Sequence, residues 1–181
     1  MNLTADTIAA IATPPGVGAI AVIRLSGPGA IAIADAVFSK KISTCQTHTA
    51  HYGKILNSER KAIDHVLLLV MKTPRSYTGE DTVEISCHGG SLIAQKILSR
   101  LYEAGARPAR PGEFSLRAFL NGKIDLAQAE AVQTLIAAKN DQAMQQANAT
   151  DAIKNDANVK QIMDIFGATL DEGSIKAIDT V

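Results

Sequence analysis

The stretch AIAVIRLSGPG, residues 19–29, decides the class of fold. Its first seven residues are apolar on both faces except for one arginine, so they read as a buried strand. Alternation puts Ile20, Val22 and Arg24 on one face and Ala21, Ile23 and Leu25 on the other. Ser26-Gly27-Pro28 then reads as a helix start, with a cap-type serine and a proline in the first turn. Ala30, Ile33, Ala34, Val37 and Phe38 recur at helical spacing, which carries that helix to about Phe38. Arg24 is a charge at the end of an otherwise apolar strand. Burying it alone is costly, so it needs a partner or a ligand; the alternative is a side chain that snorkels off the strand end to solvent.

Upstream, Thr7 to Thr13 is a short apolar run ended by the turn former Pro14-Pro15-Gly16-Val17-Gly18. Downstream, Tyr52 to Leu56 and Val66 to Met71 read as strands, the second (VLLLVM) central and buried, with polar residues 54–65 turning between them. Residues 73–81 are a loop feeding the strand Thr82 to Cys87. On that strand Val83, Ile85 and Cys87 share one face, and Glu84 stands on the other between Thr82 and Ser86. Glu84 is either part of a ligand-facing wall or a residue of an exposed sheet face. His88-Gly89-Gly90-Ser91 is a strand–turn–helix junction: the glycines allow close backbone approach, Ser91 is a candidate cap, and His88 is either a catalytic or polar contact or a helix-capping or structural residue. Ile93, Ile97, Leu98, Leu101 and Tyr102 place a helix after it. Strands and helices in this order give an α+β domain with a mixed sheet.

The segment RPARPGEFSLRAFLNGKIDLAQAEA, residues 107–131, has no amphipathic period in its first half and reads there as an ordered loop of the kind that carries function. Asn121-Gly122 is a tight turn with Lys123 just past it. Asp125, with Gln128 three residues on, starts a helix whose stripe is Leu126, Ala129, Val132, Leu135 and Ile136 and which runs to about Ala149. Its alanine-rich faces call for other helices that nothing earlier supplies. A short amphipathic helix from Asn155 to Phe166 and an apolar tail from Ser174 to Ile178 complete the chain.

The totals set limits. The chain has 181 residues, 46% apolar, with formal net charge zero. That suits one ordinary domain with an appendage and argues against a duplex-binding basic surface. Arg107, Arg110 and Arg117 define a candidate local basic patch. Two lone cysteines, Cys45 and Cys87, fit a reducing compartment rather than a disulfide framework. There is no signal-peptide pattern at the N-terminus and no apolar run near the roughly 20 residues of a membrane span, so a cytoplasmic location with no membrane association is expected. No nucleotide motif occurs, and His48-x-x-His51 is too little for a metal site.

Three motifs carry a resemblance: ATPPG at 12–16, TGEDTVEISCHGG at 78–90, and the 25-residue segment at 107–131. Together they resemble the N-terminal region of the bacterial tRNA-modification GTPases of the MnmE (TrmE) family, over residues 6 to 149. The resemblance implies a fold similar to the tetrahydrofolate-binding domain of aminomethyltransferases. It also implies binding of 5-formyl-tetrahydrofolate or a related tetrahydrofolate, a homodimer, and, for the whole family protein, a MnmG-type flavoprotein partner and tRNA as substrate. The folate contacts it implies are Arg24, Glu84 and Lys123. By this reading, residues 1–124 are the folate-binding and dimerisation domain, 125–150 the first helix of a helical domain, and 151–181 an unassigned helical tail. That tail departs from the family pattern and resembles the C-terminus of the DNA polymerase III tau subunit. The chain has no P-loop, no guanine-specificity motif and no C-terminal cysteine motif, so GTP hydrolysis by this chain alone is not expected, and no catalytic residue is assigned. The other readings are a stand-alone folate-dependent one-carbon transferase and a structural dimerisation fragment.

Overall fold

A computed structural model describes residues 6–16 and 18–137. The expected helix from Asn155 to Phe166, the tail and the far end of the helix begun at Asp125 lie outside the described residues. The chain divides into two compact units, residues 1–123 and 124–181.

In the first unit the chain runs β1 (Ile8–Ile11), β2 (Ile20–Ser26), α1 (Ala30–Val37), β3 (Thr49–Leu56), β4 (Ala62–Met71), β5 (Thr82–His88), α2 (Ser91–Glu103), β6 (Arg107–Pro108) and α3 (Glu113–Leu120). The strands form one sheet in the order β3-β4-β5-β2-β1-β6. Only β1 and β6 pair in parallel, so the sheet is mixed and the class is α+β, as expected.

Helices α1 and α2 pack against the sheet. The alternation expected for β2 and β5 is observed: Ala21, Ile23 and Leu25, with Val83, Ile85 and Cys87, enter a core shared with Ile33, Val37, Ile97 and Leu101. β4 contributes Val66, Leu68 and Val70. The expectation that β2 and β4 are buried on both faces is corrected. Ile20 is 64% exposed and Leu67 48%, and Tyr52, opposite Leu67 on β3, is 63% exposed. Among the described residues nothing covers these apolar side chains of the sheet's second face.

Two expected caps are also corrected. Helix α1 starts one turn later than Ser26, and the N–H of Gly29 donates to the Thr7 hydroxyl at 2.8 Å. Ser26 instead bonds Thr78 and Glu80, so a residue distant in sequence supplies the cap. Ser91 is the first helical residue of α2 and makes no side-chain cap bond. The close approach expected at the glycine pair is real at Gly89, where an added Cβ would lie 2.2 Å from the carbonyl oxygen of Gly18.

The largest departure is α3. The segment expected to be an ordered loop contains a helix, Glu113–Leu120, introduced by Gly112 at φ 71°. Its buried face is ionic: Glu113 and Arg117 are inside with Ala118, whereas Leu116, Phe119 and Leu120 are exposed. A helix with its charges inward has no hydrophobic period pointing to the core, which is why the pattern does not reveal it.

In the second unit, α4 (Leu126–Ala137) opens with the capping box expected at Asp125. The Gln128 N–H donates to Asp125 Oδ1 at 2.8 Å and the Asp125 N–H to Gln128 Oε1 at 3.1 Å.

Candidate functional site

Arg24 and Glu84 face each other directly across the β2–β5 pairing, on the sheet face away from the core. Because the side chains of opposite residues in an antiparallel pair project to the same side, register alone brings them together. Arg24 donates through Nε at 2.8 Å and through Nη2 at 2.7 Å, both to Glu84 Oε1. The side chains remain about a quarter exposed, at 25% and 22%. Arg24 Nη1 and Glu84 Oε2 make no protein hydrogen bond among the described residues, so a donor and an acceptor are left on this face. The Arg24 guanidinium also lies over the rings of Tyr77, 5.2 Å from its centre, and Phe114, at 5.5 Å, within cation–π range.

Lys123 is not brought into contact with this pair. Its Nζ donates to the Pro74 carbonyl at 3.1 Å, and its stem lies against Gly79. It is nevertheless attached to the loop that supplies Tyr77. That loop, residues 72–81, is fastened to α3 and its following turn at four places. The Tyr77 hydroxyl pairs with Ser115 at 3.0 Å, and Asn121 Nδ2 donates to the Thr78 carbonyl at 2.7 Å. Arg117 reaches Glu80, and Lys123 reaches Pro74. The second and third sequence motifs thus meet as one assembly beside Arg24.

Beneath it lies an ionic cluster that the sequence does not announce. Arg117 is fully buried; it donates to the Asp6 carbonyl at 2.8 Å, Asp6 Oδ1 at 2.6 Å, Glu80 Oε1 at 3.2 Å and Glu113 Oε1 at 3.2 Å. Its Nε is the one buried side-chain nitrogen or oxygen without a partner among the described residues. Arg107 bonds both Asp6 and Glu113. The Arg107 guanidinium, with the Arg110 backbone N–H and Arg117, holds the Glu113 carboxyl down at about 2 against the opposing effect of burial. Asp6 is lowered too, first by its bond from Arg107. The candidate basic patch is therefore corrected: Arg107 and Arg117 are neutralised by Asp6, Glu80 and Glu113. The acids come from distant parts of the chain, so local charge density misled.

His88 lies on the same sheet face as Glu84, but its partner is Asp64: its ring Nδ1 is 2.7 Å from Asp64 Oδ1, and its N–H donates to Oδ2 at 2.9 Å. Burial works against ionisation of Asp64, yet these bonds and that of the His65 N–H keep it below the usual carboxylate range. Burial, reinforced by the Asp64 charge, pushes the Cys87 thiol up, which makes it a poor nucleophile. No cluster of three metal-ligating side chains occurs among the described residues. Nor is any helix there long and apolar enough to cross a membrane.

Comparison with known proteins places the chain in a family. A family model described as "GTP-binding protein TrmE N-terminus" matches residues 7–123. The chain is 59% identical over 139 residues to the tRNA modification GTPase MnmE of Protochlamydia amoebophila, a match covering 77% of this chain and 30% of that protein. It is 61% identical to the protein of the same name from Chlamydia caviae and 62% to that from Chlamydia pneumoniae, each over 135 residues, 75% of this chain and 30% of the relative. The chain thus spans about 30% of the length of these relatives.

Proposed function

The chain belongs to the TrmE N-terminus family, and from that premise we propose that residues 1–124 form a folate-binding and dimerisation domain whose ligand contacts are Arg24, Glu84 and Lys123. The observation that carries this reading is the Arg24–Glu84 pair. Two charged groups face each other on an open sheet face, each partly exposed and each with hydrogen-bonding capacity left over. A pterin amide edge offers adjacent N–H donors, which suit the Glu84 carboxylate. The formyl oxygen or the tail carboxylates suit Arg24 and Lys123. The donor set therefore fits a formyl-tetrahydrofolate, whose chemical contribution when bound is a one-carbon unit. Calorimetric titration of the chain with 5-formyl-tetrahydrofolate tests it. Glu84→Ala should weaken binding by about 2 kcal/mol, the cost of truncating a charged hydrogen-bond partner. Unchanged binding would remove Glu84 from the site.

A second copy of the chain is the partner this reading assigns. Ile20, Tyr52 and Leu67 stand exposed on the sheet face that carries Arg24 and Glu84. Burying a side chain of this size contributes about 1.5–3 kcal/mol, a gain the isolated domain forgoes. Sedimentation equilibrium should find a dimer, and a monomer at all accessible concentrations would refute this part. In a protein of the length of its relatives, the module would serve cytoplasmic modification of the tRNA wobble uridine together with a GTPase domain and a MnmG-type flavoprotein. Residues 125–150 would then begin a helical domain.

A further inference from the structure

Tyr77 and Phe114 are unaccounted for by the core. Neither belongs to the buried apolar cluster, and both are only partly buried. They come from different elements, the loop before β5 and the first turn of α3, and both place a ring within 5.5 Å of the Arg24 guanidinium. The bond between the Tyr77 hydroxyl and Ser115 ties these two elements together at this point. An arginine on an open sheet face ordinarily keeps much of its rotamer freedom and loses it when a ligand is bound. Aromatic neighbours that hold it beforehand remove that loss from the binding step.

We propose that Tyr77 and Phe114 are positioning residues for the ligand site: their rings hold the Arg24 guanidinium against Glu84, so that the two side chains meet the ligand as one preset donor–acceptor edge. This rests on the reading of the pair as the folate-contacting face. The class of ligand such an edge recognises is a planar heterocycle with a carbonyl beside an N–H, the carbonyl taking the free Arg24 N–H and the N–H facing Glu84 Oε2. The rings act through Arg24, and their effect must vanish when Arg24 is gone.

The test is a pair of mutant cycles on the full chain, read by calorimetric titration with 5-formyl-tetrahydrofolate. Tyr77→Leu and Phe114→Leu should each weaken binding roughly fivefold, the scale of one cation–π contact. Neither should have an appreciable effect in an Arg24→Gln background, and Tyr77→Phe should recover most of what Tyr77→Leu loses. Losses that persist in Arg24→Gln, or no loss at all, overturn the proposal. A second measurement needs no ligand. The Arg24 Nε–H signal in the NMR spectrum of the free protein should be ring-current shifted and slow to exchange with water, and should lose both features in the leucine variants. An Arg24 signal unchanged by those variants overturns the proposal even where folate binds. Absence of folate binding by the wild-type chain instead refutes the folate reading, and the Arg24 signal then decides the positioning by itself.

Discussion

Replacing Arg117 by methionine removes one buried cation from a cluster of two guanidinium groups and three carboxylates. The guanidinium has four acceptors within 3.2 Å, two on Asp6 and one each on Glu80 and Glu113. Asp6 is 44% exposed and water can take over its solvation, so it contributes little to the loss. Glu80 and Glu113 are 10% and 1% exposed and cannot be rehydrated without opening the structure. Removing one partner of a buried pair costs about 3–5 kcal/mol, and methionine recovers part of the packing, so about 3 kcal/mol is expected. With a urea slope of about 2 kcal/mol per molar, the unfolding midpoint should fall by about 1.5 M at neutral pH. The chain has three tyrosines and no tryptophan, so tyrosine emission reports the transition. The gap between variant and wild type should narrow on acidification. Glu113 loses one of the donors that hold its carboxyl down, and protonation relieves the excess negative charge. A loss under about 1 kcal/mol, the scale of an exposed pair, would refute the reasoning, and so would a gap that does not respond to pH.

Two further outcomes follow from the same geometry. Glu113 has its carboxyl depressed from 4.5 to about 2 in the folded chain, so it contributes stability that is fully present above about pH 4.5 and is lost as pH falls through about 2. The contribution is about 3 kcal/mol, and Glu113→Gln should flatten the acid limb of a stability-against-pH curve measured by urea unfolding; an unaltered limb would place the titration elsewhere. Gly79 combines φ +76° with a neighbour, because an added Cβ would lie 3.1 Å from Lys123 Cγ, whereas Gly112 has φ +71° and open space. Alanine at either position should cost about 1–2 kcal/mol of stability, but only Gly79→Ala should also weaken folate binding, by displacing Lys123; equal folate affinity in the two variants would show that Lys123 is not a contact.

Part of the candidate site is legible in the sequence. Alternation along β2 and β5 put Arg24 on one face with Ile20 and Val22 and Glu84 on one face with Thr82 and Ser86, and Asp125 and Gln128 announced their capping box; that the Arg24 face points away from the core was not legible, because Ile20 and Val22 make it as apolar as the other. The patterns behind these readings involve residues at most a few positions apart. The candidate basic patch failed for the complementary reason. Arg107 and Arg117 are close to each other in sequence, while Asp6 lies 111 residues from Arg117 and Glu80 lies 37 away. Helix α3 was missed because its inward face is Glu113 and Arg117, so its period is carried by charge rather than by apolar residues.

The sequence by itself determined the alternation of the strands, the period of α1 and α2 and the start of α4. These depend on local backbone geometry and on interactions between near neighbours. Tertiary structure alone decided which charge meets which. The pairing of Arg24 with Glu84 spans 60 residues and exists because the register of β2 on β5 sets them opposite. The neutralisation of Arg107 and Arg117 needs the N-terminal segment and the loop before β5 folded against α3. A side chain's own type says that it requires a counter-charge, but only the register of distant strands and the docking of distant segments supply one.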